Sequence, residues 1–190
     1  MKKKNKSIRD FIDKGKYSQN GEHGILMEVI RRIWPNDKTL RAAVEFGAPN
    51  RTYCSNIAEL PDNWGKFYFD SNPEDTTIKK AFITPENVNE IIGGGYEIVS
   101  IDVDGGDFGI WKAYNYTPAV VIIEINSSIP PDRMQPINSP TQGTGYLPMK
   151  ILGESKGYFL LCHTGNLIFV RKEYEGLFPD KDETFDKSWL

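Results

Sequence analysis

The run Ala119-Val120-Val121-Ile122-Ile123-Glu124 constrains the fold of this chain more than any other segment. Successive side chains of a strand point to opposite faces of its sheet, so an unbroken β-branched run leaves neither face for water. Such a strand needs cover on both sides, which parallel sheets obtain from the helices of their crossover connections. The flanking sequence fits that demand. Ala42-Ala43-Val44-Glu45-Phe46-Gly47 reads as a short buried strand entering a glycine turn, with 55–60 as the helix behind it. Lys66-Phe67-Tyr68-Phe69-Asp70 is a second strand ending in a carboxylate, Ala81-Phe82-Ile83 a short third, and Glu97-Ile98-Val99-Ser100-Ile101-Asp102 a fourth.

Helical signals lie between these runs. Ile25, Leu26, Val29, Ile30 and Ile33 paint one apolar stripe on a helix that Pro35 ends. Thr84-Pro85-Glu86 supplies an N-cap, an N1 proline and an acidic first turn for a helix through Ile92, which Gly93-Gly94-Gly95 stops. Phe108 to Tyr114 is the next helix, and 127–145, rich in Pro, Ser, Asn and Gly, is an irregular stretch of the lid or mobile-loop type. Tyr158-Phe159-Leu160-Leu161-Cys162 and Leu167-Ile168-Phe169-Val170 are joined by His163-Thr164-Gly165-Asn166, a hairpin turn. The pattern predicts an α/β, Rossmann-like, doubly wound fold: a mostly parallel seven-stranded sheet with a C-terminal antiparallel hairpin strand. One domain over 17–178 accounts for these elements, with a basic lead-in over 1–16 and a polar, loosely held tail over 179–190.

Composition narrows the partners. A formal net charge of -3 provides no general positive field for nucleic acid, and the basic run Met1-Lys2-Lys3-Lys4-Asn5-Lys6 reads as a solvated end. No apolar h-region follows that run, and no stretch of about 18 apolar residues offers a membrane span. Cys54 and Cys162 lack CxxC spacing, which argues against zinc and fits a reducing cytoplasm.

In an open parallel sheet, ligands bind outside the carboxyl ends of the strands. Four such ends carry acids here: Glu45 with Gly47, Asp70, Asp102 with Asp104 and Asp107, and Glu124 with Asn126. Asp70 stands about 20 residues after the Gly47 turn, the position from which a carboxylate accepts hydrogen bonds from ribose hydroxyls. Gly47-Ala48-Pro49-Asn50-Arg51 lacks the G-x-G-x-x-G that seats a pyrophosphate, so a cofactor with a ribose but no phosphate fits better.

Five segments, in order along roughly residues 17 to 172, resemble FkbM-type S-adenosylmethionine-dependent methyltransferases. Tyr17-Ser18-Gln19-Asn20-Gly21-Glu22-His23-Gly24 is similar to their SQ-x-GED opening, and Val44-Glu45-Phe46-Gly47-Ala48 with Ser55-Asn56 to their first cofactor loop. Ser100-Ile101-Asp102-Val103-Asp104-Gly105 resembles their SIDIDG segment, Val121-Ile122-Ile123-Glu124-Ile125-Asn126 their vviiEyN, and Gly165-Asn166-Leu167-Ile168-Phe169-Val170 their gxNaffv.

The resemblance implies a class I methyltransferase fold that binds S-adenosyl-L-methionine and methylates a hydroxyl of a small acceptor such as a sugar or glycan. It implies cofactor contacts from Gln19, Glu22, Glu45, Gly47, Asn50, Asn56, Asp70, Asp102 and Asp104. Asp102, whose loop would flank the adenine or the methyl group, and His23, a candidate general base, are the catalytic candidates. Some related O-methyltransferases hold a divalent ion through acids at the fourth and fifth strand ends, where Asp102, Glu124 and Asn126 form an oxygen set suited to Mg2+.

The sequence also departs from the family. Asn50-Arg51 stands where Asp-Gly is usual, His23 replaces an acid, and the span from Asp70 to Thr84 is short. These departures motivate an alternative, a catalytically degenerate methyltransferase fold serving as a binding or assembly module. Ile101-Asp102-Val103-Asp104-Gly105 also mimics the nucleophile loop of haloacid dehalogenase phosphatases. That loop normally ends a first strand, whereas Asp102 is mid-chain.

Overall fold

The computed structural model describes residues 7–36, 38–134 and 143–185. Strands β1 (Arg41–Phe46), β2 (Trp64–Asp70), β3 (Lys79–Lys80), β4 (Ile98–Ile101), β5 (Val120–Glu124), β6 (Tyr158–His163) and β7 (Asn166–Arg171) form one sheet, in the order β3-β2-β1-β4-β5-β7-β6. The strands from β1 to β5 pair in parallel, and only β7 is reversed, antiparallel to both β5 and β6. The sheet is therefore α/β and mostly parallel, as the alternating pattern predicts. From β1 the chain builds outward to β3, then returns to the other side of β1 at β4, which makes the β1–β4 boundary a topological switch point.

Four helices cover the sheet: α1 (Glu22–Ile33), α2 (Val88–Ile91), α3 (Asp107–Ala113) and α4 (Tyr146–Ser155). On one face Ile25, Leu26 and Val29 of α1 pack with Ala43, Ile98, Val120, Ile122 and Ile168. On the other, Ile110 and Trp111 of α3 and Met149 and Leu152 of α4 pack with Val44, Val99, Val121, Ile123 and Phe169. Val120, Val121, Ile122 and Ile123 are each 0% exposed, so β5 is buried on both faces as its run of β-branched residues demands. Each such side chain contributes roughly 1.5–3 kcal/mol of apolar burial.

Several local expectations are corrected. Residues 55–60 form turns rather than a helix, because the Ser55 hydroxyl and the Asn56 N–H are drawn to the buried Glu45 carboxylate, 2.6 and 2.8 Å away. The third strand is Lys79–Lys80, with Ala81-Phe82-Ile83 beyond it. The helix expected from Thr84 through Ile92 shrinks to Val88–Ile91, because Asn87 ties the preceding turn by accepting from the Thr84 N–H and donating to the Phe82 carbonyl. Helix α4 carries no clear sequence signal because Pro148 lies near its start, where a missing N–H leaves no intrahelical bond unmade. The irregular stretch expected over 127–145 falls partly on 135–142, outside the described residues.

The first and last described segments pack on the body. Ile8, in a 3-10 turn over Ile8–Phe11, is 0% exposed, and its N–H donates to the Asp180 carbonyl. The segment after Phe178, expected to be loose, is stitched down as far as 185: Arg32 grips Asp180 at 2.5 and 2.8 Å, and Asp182 bridges to Cys162 along the outer edge of β6. Covering that edge removes a free row of backbone groups. No helix among the described residues is long and apolar enough to cross a membrane.

Candidate functional site

A hollow of about 760 Å³ opens at the switch point, over the carboxyl ends of β1, β2 and β4. Gly47 and Pro49 form its floor, Asp70 and Glu74 one side, and Asp102 to Gly106 the other. The outer wall is the Ala81-Phe82-Ile83-Thr84-Pro85 segment, which the short β3 releases from the sheet. Gly47 has φ +87, and a Cβ there would overlap the Asp102 carbonyl oxygen and stand 3.1 Å from the Val103 nitrogen. Only glycine lets the β1 turn pass this close to the end of β4, and that contact brings Asp102 to the hollow.

The β4–α3 loop is built around Asp107, which is 3% exposed and accepts from the Val103 and Gly105 N–H groups at 2.9 and 3.0 Å. Burial pushes its carboxyl up to about 6, against the pull of those donors. Asp104 sits in the left-handed region at φ 56, a conformation that aspartate tolerates better than most residues and that turns the loop back over the hollow. One oxygen from each of Asp102, Asp104 and Glu124 lies within 4.8 Å of the others. Burial first, and then the charges of Glu124, Asp107 and Asp104, push the Asp102 carboxyl well above its usual range. Glu124 is raised by burial and by Asp107 and Asp104, and the hydrogen bond it shares with Asp102 pulls the other way. Two carboxyls this close disfavour each other's full ionisation.

Four of the residues singled out in the sequence, Gly47, Asp70, Asp102 and Asp104, line the hollow together. Asp102 and Glu124 of the expected metal set gather with Asp104, and Asn126 Oδ1 accepts from the N–H and hydroxyl of Ser128 at 2.9 and 2.5 Å. The remaining candidates lie elsewhere. Glu45, 2% exposed, accepts from Ser55, Asn56 and Ser100, and Asn56 in turn donates to Ser100. Burial raises the Glu45 carboxyl, and these donors hold it back. Glu22, 0% exposed, accepts from Ser18 and the Asn20 N–H on one oxygen and from Thr164 and Asn166 on the other, stapling α1 to the β6–β7 turn. Asn50 closes its own loop by accepting from Thr52. Gln19 is exposed in the turn before α1, and His23 sits in the first turn of α1 beside Gly15; neither lines the hollow.

Arg51 does not block the hollow. Its Nε donates to Asp75 at 3.1 Å, and Asp75 also accepts from Thr77, so this arginine anchors the short β2–β3 connection. Sequence reasoning missed Phe82, which is 73% exposed on the rim of the hollow, because the Ala81-Phe82-Ile83 run reads as a strand. Trp64, Trp111 and Tyr114 are core residues. The lining contains no lysine, arginine or histidine among the described residues, so its charge is wholly acidic.

Comparison with known proteins yields no match: no family model fits the sequence, and no curated protein or solved structure matches it.

Proposed function

We propose that the chain is an S-adenosylmethionine-dependent methyltransferase that O-methylates a small hydroxylated acceptor such as a sugar, working in a reducing cytoplasm. One observation carries this reading: a nucleoside-sized hollow at the switch point, glycine-floored and bordered by Asp70, Glu74, Asp102 and Asp104, with no cationic side chain among the described residues of its lining. A phosphate-bearing cofactor would meet only repulsion there, whereas a ribose linked to a sulfonium and an ammonium meets acceptors and complementary charge. The donor set therefore fits S-adenosyl-L-methionine.

When bound, that cofactor supplies an activated methyl group. Asp70, at the end of β2, would take the ribose hydroxyls, the Gly47 turn would face the methionine part, and the Asp102–Asp104 loop would border the sulfonium side. Transfer from a sulfonium needs an aligned nucleophile and dry surroundings more than it needs elaborate catalysis, so positioning by these loops contributes much of the rate. Asp102, Asp104 and Glu124 form the hard-oxygen set that would hold Mg2+ if the acceptor hydroxyl is activated by a metal.

A second reading, a binding module that retains the fold without transfer, is favoured by the turns that replace the expected helix over 55–60 and by the short connection after Asp70. Isothermal titration with S-adenosyl-L-methionine separates the two. Saturable heat with one site per chain supports the enzyme, and no heat at millimolar cofactor from folded protein leaves the module.

A further inference from the structure

A serine and a histidine meet at the same edge of the sheet, outside the lining of the hollow. Ser127 Oγ lies 3.3 Å from His163 Nε2. Ser127 follows the end of β5 and is half-buried, whereas His163, the last residue of β6, is 0% exposed. The imidazole lies flat against Phe185, centroids 5.2 Å apart and planes 8° apart, with Tyr146 at 6.2 Å. This aromatic slot fixes the plane of the ring and so keeps Nε2 directed at the serine. Beside the pair, the Asn126 N–H donates to the Thr144 carbonyl, and the buried Thr144 Oγ1 has no hydrogen-bond partner. An unpartnered buried hydroxyl is unfavourable in a finished core and expected where a ligand's polar group completes the site.

We infer that Ser127 and His163 form the proton-accepting pair of the acceptor side: Ser127 touches the acceptor hydroxyl, and His163, a positioning residue, receives the proton through it. The inference rests on the methyltransferase reading. As the acceptor oxygen forms its bond to the methyl carbon, the carbon–sulfur bond breaks with its electron pair remaining on sulfur. The acceptor proton passes to Ser127 Oγ while the proton of Ser127 moves to His163 Nε2, leaving a neutral thioether and an imidazolium that returns its proton to water. Ser127 follows Glu124 off β5, and His163 ends β6, which β7 separates from β5, so the pair stands on the β5–β7–β6 side of the edge and the hollow on the β1–β2–β4 side.

Other groups bear on the imidazole from each element packed around it. Tyr146 of α4 donates to the Glu183 carbonyl, and Lys150 of the same helix pairs with the Glu183 carboxylate at 3.1 Å. Asp182 pairs with Arg9 at 3.3 Å beside the adjacent Cys162, and Glu22 reaches the turn through Thr164. None of these donates a hydrogen bond to Ser127 among the contacts described.

The test is long-range 1H–15N NMR of the imidazoles. The chain holds two histidines, so a His23→Gln spectrum assigns His163 by difference. The expected result is a bare Nε2 in the free protein, moved by Ser127→Ala and restored by Ser127→Thr. The expected titration midpoint is lower with S-adenosylmethionine than with uncharged S-adenosylhomocysteine, because the sulfonium charge disfavours the imidazolium. A protonated Nε2, no titration between pH 5 and 8, or equal midpoints with the two ligands overturns the pair while leaving the cofactor site intact. Absence of cofactor binding in calorimetry on the same sample overturns the methyltransferase reading itself.

Discussion

Replacing Gly47 with alanine tests how the hollow is built. At φ +87 an alanine is strained by about 1–2 kcal/mol whatever surrounds it. Its Cβ would also overlap the Asp102 carbonyl, so β1 and β4 must part. Parting loosens the Gly47 N–H to Phe69 carbonyl bond and the Asp102 N–H to Phe46 carbonyl bond, both 3.0 Å, each contributing about 1 kcal/mol. The expected loss is about 3–4 kcal/mol, a large share of the 5–15 kcal/mol typical of a domain. Gly93→Ala is the control: φ is +66 there, but a Cβ meets nothing within 4 Å, so only the backbone strain remains. Urea denaturation of both variants isolates the clash as their difference, about 2 kcal/mol. Equal losses in the two variants would refute the claim that the β1 turn presses on the end of β4.

Three further outcomes follow from buried carboxylates. Glu45→Ala should cost about 3 kcal/mol in urea denaturation, because Ser55, Asn56 and Ser100 lose their common acceptor, whereas Glu45→Gln should cost less than half of that. Asp102 has a folded pKa above its unfolded value, so its contribution to stability is present at low pH and lost as pH rises; in metal-free buffer Asp102→Asn should gain on the native protein by roughly 1 kcal/mol or more between pH 5 and 8. Glu28 is the opposite case. The Arg31 and Arg32 guanidinium groups hold its carboxyl down to about 2, so the loss of roughly 1–2 kcal/mol in Glu28→Gln, measured by thermal melts at pH 7, should fade as pH falls from about 4.5 toward 2.

How much of this was legible in the sequence depended on whether a residue's role is local. The β5 run declares its burial through composition alone, and Gly47, Asp70 and Asp102 declare themselves as strand-end residues, because strand ends are where open parallel sheets expose side chains. Glu22 and Glu45 have the same appearance in sequence, yet both are sealed by protein donors that come from distant segments, Thr164 and Asn166 for one and Ser100 for the other. No local pattern distinguishes an acid that awaits a ligand from an acid already satisfied. Helix α4 was hidden for a different reason: Pro148 and Gly153 read as breakers, but the proline occupies the first turn and the glycine lets the helix settle against Phe169 and Trp111. Phe82 was masked by its neighbours, since Ala81 and Ile83 fit a strand and only the early end of β3 at Lys80 turns the segment into a wall.

The central claim, that the hollow between Asp70 and Asp102 receives an adenosyl sulfonium, is tested most directly by a crystal structure of the protein grown with S-adenosyl-L-methionine. The account predicts cofactor density in that hollow, ribose hydroxyls on the Asp70 carboxylate and the sulfonium on the Asp102 side. Density for water alone at saturating cofactor, or a ligand bound away from the carboxyl ends of β1, β2 and β4, would contradict it.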